Sequence, residues 1–321
     1  MTKQTLSDVA SQWENVLAAT GMAILSSLGL TAYLVVIVAI LRNPAAFNNN
    51  FYRYLLSLGF SDSIMLCIFL FYSVPTTVLQ QYPLGDTFDL WMGLICNLGW
   101  YSALSCTFSI ALNRFWAICR YSTYQSVYRP SRVSLNLTIV WVCGVLVALI
   151  YFISPWFSLH YYYDFYSWGI DLSLDGVELL IWGDRIIVSV TCLSLIVSYW
   201  CILLKLRDQK RKVKGKQTSR NLDTQRQRQE MRLALQFLGV AAYLIVFDIV
   251  FTLLPEYTLY RWHLYITSLM YILNSCINPY IYLTMNSQIR KEVKKMFGFA
   301  VEPEAAPVRM ANDRRINRVA E

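Results

Sequence analysis

A chain of 321 residues that is 56% hydrophobic and 15% charged, with a mean hydropathy of +0.40, is too apolar for an ordinary soluble protein of two domains. Its net charge of +8 would suit nucleic acid, but the Lys and Arg residues sit in joints beside apolar segments, where membrane topology accounts for them, so a nucleic-acid partner is set aside. Enzyme chemistry has no footing: there is no CxxC pair, no metal-binding His/Cys cluster and no nucleophile paired with a base, and the two histidines, His160 and His263, are far apart.

In chain order, seven windows reach the roughly 20 mainly apolar residues that a spanning helix needs: 17–41, 52–78, 89–118, 134–155, 184–206, 232–254 and 263–285. They are continuous runs of Leu, Ile, Val and Phe rather than alternating segments of about 10 residues, so the prediction is an all-α membrane protein and not a strand barrel. Residues 1–16 carry Asp8 and Glu14 and lack a small-residue cleavage site, so the first window reads as a retained helix, with a cleaved signal peptide as the alternative. Of the 28 Lys and Arg residues, only Lys3, Arg185 and Arg261 fall on one face; the rest lie in 42–53, 114–132, 205–232 and 286–321. That asymmetry places the N-terminus outside and the C-terminus in the cytoplasm, and it requires an odd number of crossings. The outer loops are assigned acids instead, among them Asp86, Asp89, Asp164 and Asp184. The 205–232 loop holds eleven basic residues, a composition that attracts anionic lipid headgroups. All eight cysteines fall in helices or at inner ends, so no disulfide is expected and each reads as a small buried hydrophobe.

Polar residues inside the windows are costly in lipid and are functional candidates. Asp62 lies midway along the second window, and Asn113-Arg114-Phe115 closes the third at its inner end. In the seventh, Asn274 and Asn278 are four apart and share a face with Ser275 beside them. Asn278-Pro279-Tyr280-Ile281-Tyr282 follows, where proline removes a backbone donor and marks a kink. Beyond it, Ile289, Val293, Met296 and Phe297 recur at helical spacing among Arg290, Lys291, Lys294 and Lys295, which predicts a short interfacial amphipathic helix within 286–299. Residues 300–321 carry prolines and charges with no apolar period and are expected to be disordered.

Asp62, Arg114, Trp141, Asn278-Pro279-x-x-Tyr282 and the basic helix after it, in this order, resemble the rhodopsin-like G-protein-coupled receptors. The resemblance implies a seven-transmembrane bundle spanning 17–285 with a short eighth helix. It implies that Arg114, with Asn113 and Phe115, holds the inactive inner face and meets a heterotrimeric G protein. Tyr282, with Tyr199 of the fifth helix, would rearrange on activation, and Arg114, Lys205 and Arg232 would ring the mouth for the partner. Asp62 with Asn274, Ser275 and Asn278 matches the family's sodium or water pocket, although the third-helix serine is Ala103; no other cofactor is implied.

The chain also departs from that pattern. The acid before the arginine is Asn113, the first-helix asparagine is Leu34, and the cysteine at the outer end of the third helix is Asp89. The sixth helix lacks its tryptophan, with Phe247, Asp248 or Phe251 near that depth. Asn-Arg-Phe and the lead-in Phe47 to Tyr54 are similar to the nematode serpentine chemoreceptors of class V or class X. That likeness implies a sensory-neuron receptor, at the plasma membrane and in sensory cilia, for an environmental or pheromone-like small molecule. Cys96, Asn97 and Trp100, with Asp248 and Phe251 from the sixth helix and Ser268 and Tyr271 from the seventh, are the ligand candidates, against a packing or interfacial role for each aromatic. The aromatic loop 160–168 either lids that pocket or lies on the headgroups. A peptide receptor remains open, as does a transporter using Asp62 and Asp248, although the two halves do not mirror each other.

Overall fold

The computed structural model describes residues 11–153, 159–170, 177–213, 238–251, 253 and 260–299. The expected 300–321 tail, the first ten residues and most of the 205–232 loop, with Arg232, lie outside these. The helix α1 (Gln12–Arg42) opens on a capping box in which the Ser11 amide donates to Glu14 Oε2 at 2.9 Å. It begins five residues before the expected 17. α2 (Asn50–Ile68) passes through a single π turn, Phe69–Ser73, into α3 (Val74–Leu79). Pro75 explains the turn: it has no N–H and its ring would clash with the carbonyl a turn earlier, so the ladder widens there instead of breaking.

Gly85, at φ +81, adopts a left-handed conformation available to few other residues and starts the central helix, α4 (Asp86–Cys119). A short α5 (Tyr121–Val127) and α6 (Pro130–Ile153) follow. α7 (Val177–Val213) runs past the expected 206 because Lys and Arg continue a helix as well as Leu does. α8 (Leu238–Phe251), α9 (Arg261–Met285) and α10 (Ser287–Met296) complete the order. Among the described residues, five helices are long and apolar enough to cross a membrane by themselves. α9, more polar, has 25 residues and so runs about 37 Å at 1.5 Å per residue.

The described helices make a seven-helix bundle with α4 at its centre, packed on α2, α6 and α7, while α1 packs on α9 and α2. The Ser57 hydroxyl accepts from Trp141 Nε1 at 2.9 Å and lies 3.2 Å from Cys106 Sγ, which ties α2, α6 and α4 together. All eight cysteines are free thiols.

One element goes beyond the helices expected. β1 (Leu159–Tyr162) and β2 (Ser167–Ile170) pair antiparallel with Leu159 opposite Ile170 and Tyr162 opposite Ser167. Tyr161, Tyr166 and Trp168 are buried, so the aromatic loop is a plug in the bundle and does not lie on headgroups. Asp86, Asp89 and Asp184, assigned above to loops, lie within α4 and α7.

Candidate functional site

At mid-bundle, Asp62 is 1% exposed. Its Oδ2 accepts from the Tyr33 hydroxyl and, at 3.1 Å, from Asn278 Nδ2, and the buried Ser275 is near enough to act on the same carboxyl. Asn278 and Ser275 are among the residues the sequence singled out; Tyr33 is not. Leu34 stands where the asparagine was sought and is 63% exposed on the outside of the bundle, while Tyr33, one residue earlier and 100° round the helix, takes its place. Asn274 lines a gap of about 10 Å³ beside Asp62 and Asn278, room for about one water. Ala103 offers no side-chain oxygen there, and the Thr107 hydroxyl donates back to the Ala103 carbonyl at 2.8 Å. A hard cation needs several oxygens around it. These residues therefore do not fit sodium, and the expectation narrows to a single water.

Toward the end of the bundle that carries α10, Asn113 Nδ2 donates to the Tyr124 hydroxyl at 3.3 Å. The Arg114 guanidinium lies over the Phe51 ring, 3.7 Å from its centroid. Phe51 was not a candidate; its only signal was its place in the lead-in to the second helix. Phe115 is half-buried and meets Trp116 edge-on. Tyr199 and Tyr282 are buried, and the Tyr282 hydroxyl has no hydrogen-bond partner among the described residues. Pro279 sits inside α9. α9 hands over to α10 at Asn286, whose side chain accepts from the Gln288 and Ile289 amides. Tyr52 of α2 fixes this corner, donating to Gln288 Oε1 at 2.9 Å and accepting from Asn286 Nδ2 at 3.2 Å.

At the opposite end, Trp100, Phe247 and Tyr271 form an aromatic cluster with centroids 4.7–5.5 Å apart, with Phe251 5.6 Å from Tyr271. Of the three sixth-helix candidates, Phe247 is the one at the centre, 2% exposed. Asp248 is half-buried and lies within electrostatic range of Asp184 and Arg185 of α7. Asp184 accepts from the Tyr101 hydroxyl at 2.8 Å. Neither Tyr101 nor Asp184 was a candidate; Asp184, the first residue of its apolar window, lies two turns inside α7 because the helix begins at Val177. Asn97 is buried on α4, the Cys96 thiol points to Met65 Sδ at 3.8 Å, and the Ser268 hydroxyl donates to the Tyr166 carbonyl at 2.7 Å. Cys96 and Ser268 are thus turned to packing and to the hairpin.

The hairpin is fastened on every side. Asp89, 0% exposed, accepts from the Tyr72 hydroxyl at 2.6 Å and the Tyr161 amide at 3.3 Å, and its other oxygen lies 2.8 Å from His160 Nδ1. Trp168 Nε1 donates to Ser73 Oγ at 3.1 Å, and Tyr166 donates to Asn15 Oδ1 at 2.6 Å. Burial raises the Tyr166 hydroxyl above the usual tyrosine range, which keeps it a donor. At Gly93 a side chain would meet the Leu159 carbonyl at 2.0 Å, so only glycine lets β1 lie this close to α4.

A membrane bundle of seven helices, with an acid at its centre, a proline in its last spanning helix and an amphipathic helix beyond, defines a serpentine receptor. The solved structure of squid rhodopsin matches it with a TM-score of 0.76 at 17% identity, covering 91% of this chain and 87% of that one, a likeness of fold. Over residues 24–286 the chain matches the family described as Serpentine type 7TM GPCR chemoreceptor Srx, and it belongs to that family. Of the two chemoreceptor classes expected, class X is the one matched. The chain is also similar to Protein trapped in endoderm-1 of Drosophila melanogaster, 25% identical over 314 residues that cover 87% of this chain and 77% of that one. The family is one of receptors and not enzymes, and it leaves no ground for the transporter alternative.

Proposed function

We propose that this chain is a plasma-membrane chemoreceptor of a sensory cell, N-terminus outside and C-terminus in the cytoplasm, that binds a small molecule beneath the hairpin and signals to a heterotrimeric G protein. The observation that carries the ligand end is the meeting of Asp184, Tyr101 and Asp248 at the depth of the Trp100–Phe247–Tyr271 cluster. Among the described residues the carboxyls of Asp184 and Asp248 lie within electrostatic range there, with Arg185 beside them, acceptors that suit a ligand with a protonated amine resting on aromatic faces. Phe247 and Tyr271 connect this site to α8 and α9. Through Asn278, Pro279 and Tyr282 the same α9 reaches Asp62 and the Arg114 region, a route by which ligand binding would open the basic end to a partner helix.

The test is nucleotide exchange by purified receptor with a G-protein heterotrimer. Screening small amines should yield an agonist whose potency falls at least tenfold in Asp248→Asn, the loss expected for one charge-assisted hydrogen bond. Undiminished potency removes the counter-charge role. Arg114→Ala should abolish agonist-driven exchange while surface expression persists; unchanged signalling removes the coupling mechanism.

A further inference from the structure

A second recess lies apart from the hairpin, the aromatic cluster and the Arg114 mouth. Between α4, α6 and α7 a cleft of about 560 Å³ runs from Cys143 and Val190 at mid-bundle to Tyr128 and Arg132 at the basic end. Its rim residues Ile139, Ile186 and Val190 are exposed on spanning helices, so the cleft opens to lipid rather than to water.

Two polar groups in its lining stand out. Asn136 Oδ1 is buried and has no hydrogen-bond partner among the described residues. A buried acceptor without a donor is costly and calls for one. One turn nearer the basic end is Arg132, which donates through Nη1 to the Ser126 carbonyl at 2.9 Å and has further N–H groups to offer from an exposed side chain. Four residues apart on α6, the two side chains share a face about 5–6 Å apart. The neighbourhood is positive: residues 114–132 include Arg114, Arg120, Arg129 and Arg132 and no acid. A ligand head that donates a hydroxyl to Asn136 and sets a negative group one turn further on Arg132 satisfies both. The hydroxyl settles the tail: a glycerophosphate that keeps a free glycerol hydroxyl beside its phosphate carries one acyl chain and not two.

We propose that this cleft is a binding site for a lysophospholipid of the leaflet at the basic end. The phosphate lies on Arg132, the free glycerol hydroxyl donates to Asn136 Oδ1, and the single chain runs past Phe108 and Val140 toward Val190. The lipid bridges α4, α6 and α7 without entering the site beneath the hairpin, and the proposal is independent of what binds there.

The experiment uses full-length receptor in nanodiscs of neutral phospholipid and a lysophosphatidic acid with a diazirine in its chain. Saturable labelling is expected on peptides spanning 105–112 and 186–191. Unlabelled lysophosphatidic acid should displace the probe, while cholesterol and two-chain phosphatidic acid should not. Val190→Trp, at a lipid-exposed position, fills the slot and should abolish labelling; Ile139→Trp makes the same test from α6 if the first variant does not fold. Asn136→Leu and Arg132→Gln should each weaken binding about tenfold, with Arg132→Lys losing less, all at an unchanged melting profile. Labelling that fails to saturate, or that survives a filled slot, overturns the site. Equal displacement by sterol or by two-chain lipid overturns the assignment of its ligand.

Discussion

A cation–π contact is worth about 0.5–2 kcal/mol depending on desolvation, and the Arg114 guanidinium lies 3.7 Å from the centroid of the Phe51 ring of α2. Phe51→Ala should therefore raise ligand-free nucleotide exchange, and Phe51→Trp, a stronger cation–π partner, should lower it; identical basal rates in the three proteins would exclude Phe51 as a restraint. Asp62, Asn278 and Arg114 stood out in the sequence because charged and amide groups in apolar windows are rare and have few bland explanations. Tyr33 and Phe51 did not, since aromatics in such windows are ordinary. What makes them functional is rotation about the helix axis, which one residue changes by 100°.

Among the elements, the spanning helices were readable from the length of their apolar runs, and the hairpin was not. Its turn contains no glycine or asparagine; Tyr166 takes the left-handed conformation at φ 54, a choice made by the fold around it rather than by local preference. Nor does the sequence announce that Asp89 is the hairpin's anchor, because an acid near a helix start is usually just a favourable charge at the dipole. Asp89→Ala leaves the Tyr72 hydroxyl and the Tyr161 amide without their acceptor, at about 1–3 kcal/mol for each group. Faster amide exchange across 159–170 is expected, with a lower melting temperature. Exchange rates equal to wild type would show that the contacts to Ser73, Asn15 and Ser268 suffice.

At the scale of the molecule, the charge asymmetry along the chain and the bundle agree: Arg114, Arg120, Arg129, Arg132 and the basic α10 gather at one end, and the hairpin closes the other. An epitope at residue 1 should be detected on intact cells and one at residue 321 only after permeabilisation; the reverse pattern would overturn the proposed orientation. Class and order of helices were legible because hydrophobic runs carry them, while the Asp184–Asp248 meeting was not, since it depends on how α7 and α8 pack. The free thiols set a further property of the whole. The loop that closes this end is held by hydrogen bonds and by the burial of Tyr161, Tyr166 and Trp168, with no sulfur bridge to the bundle, so reductant should leave its placement unchanged.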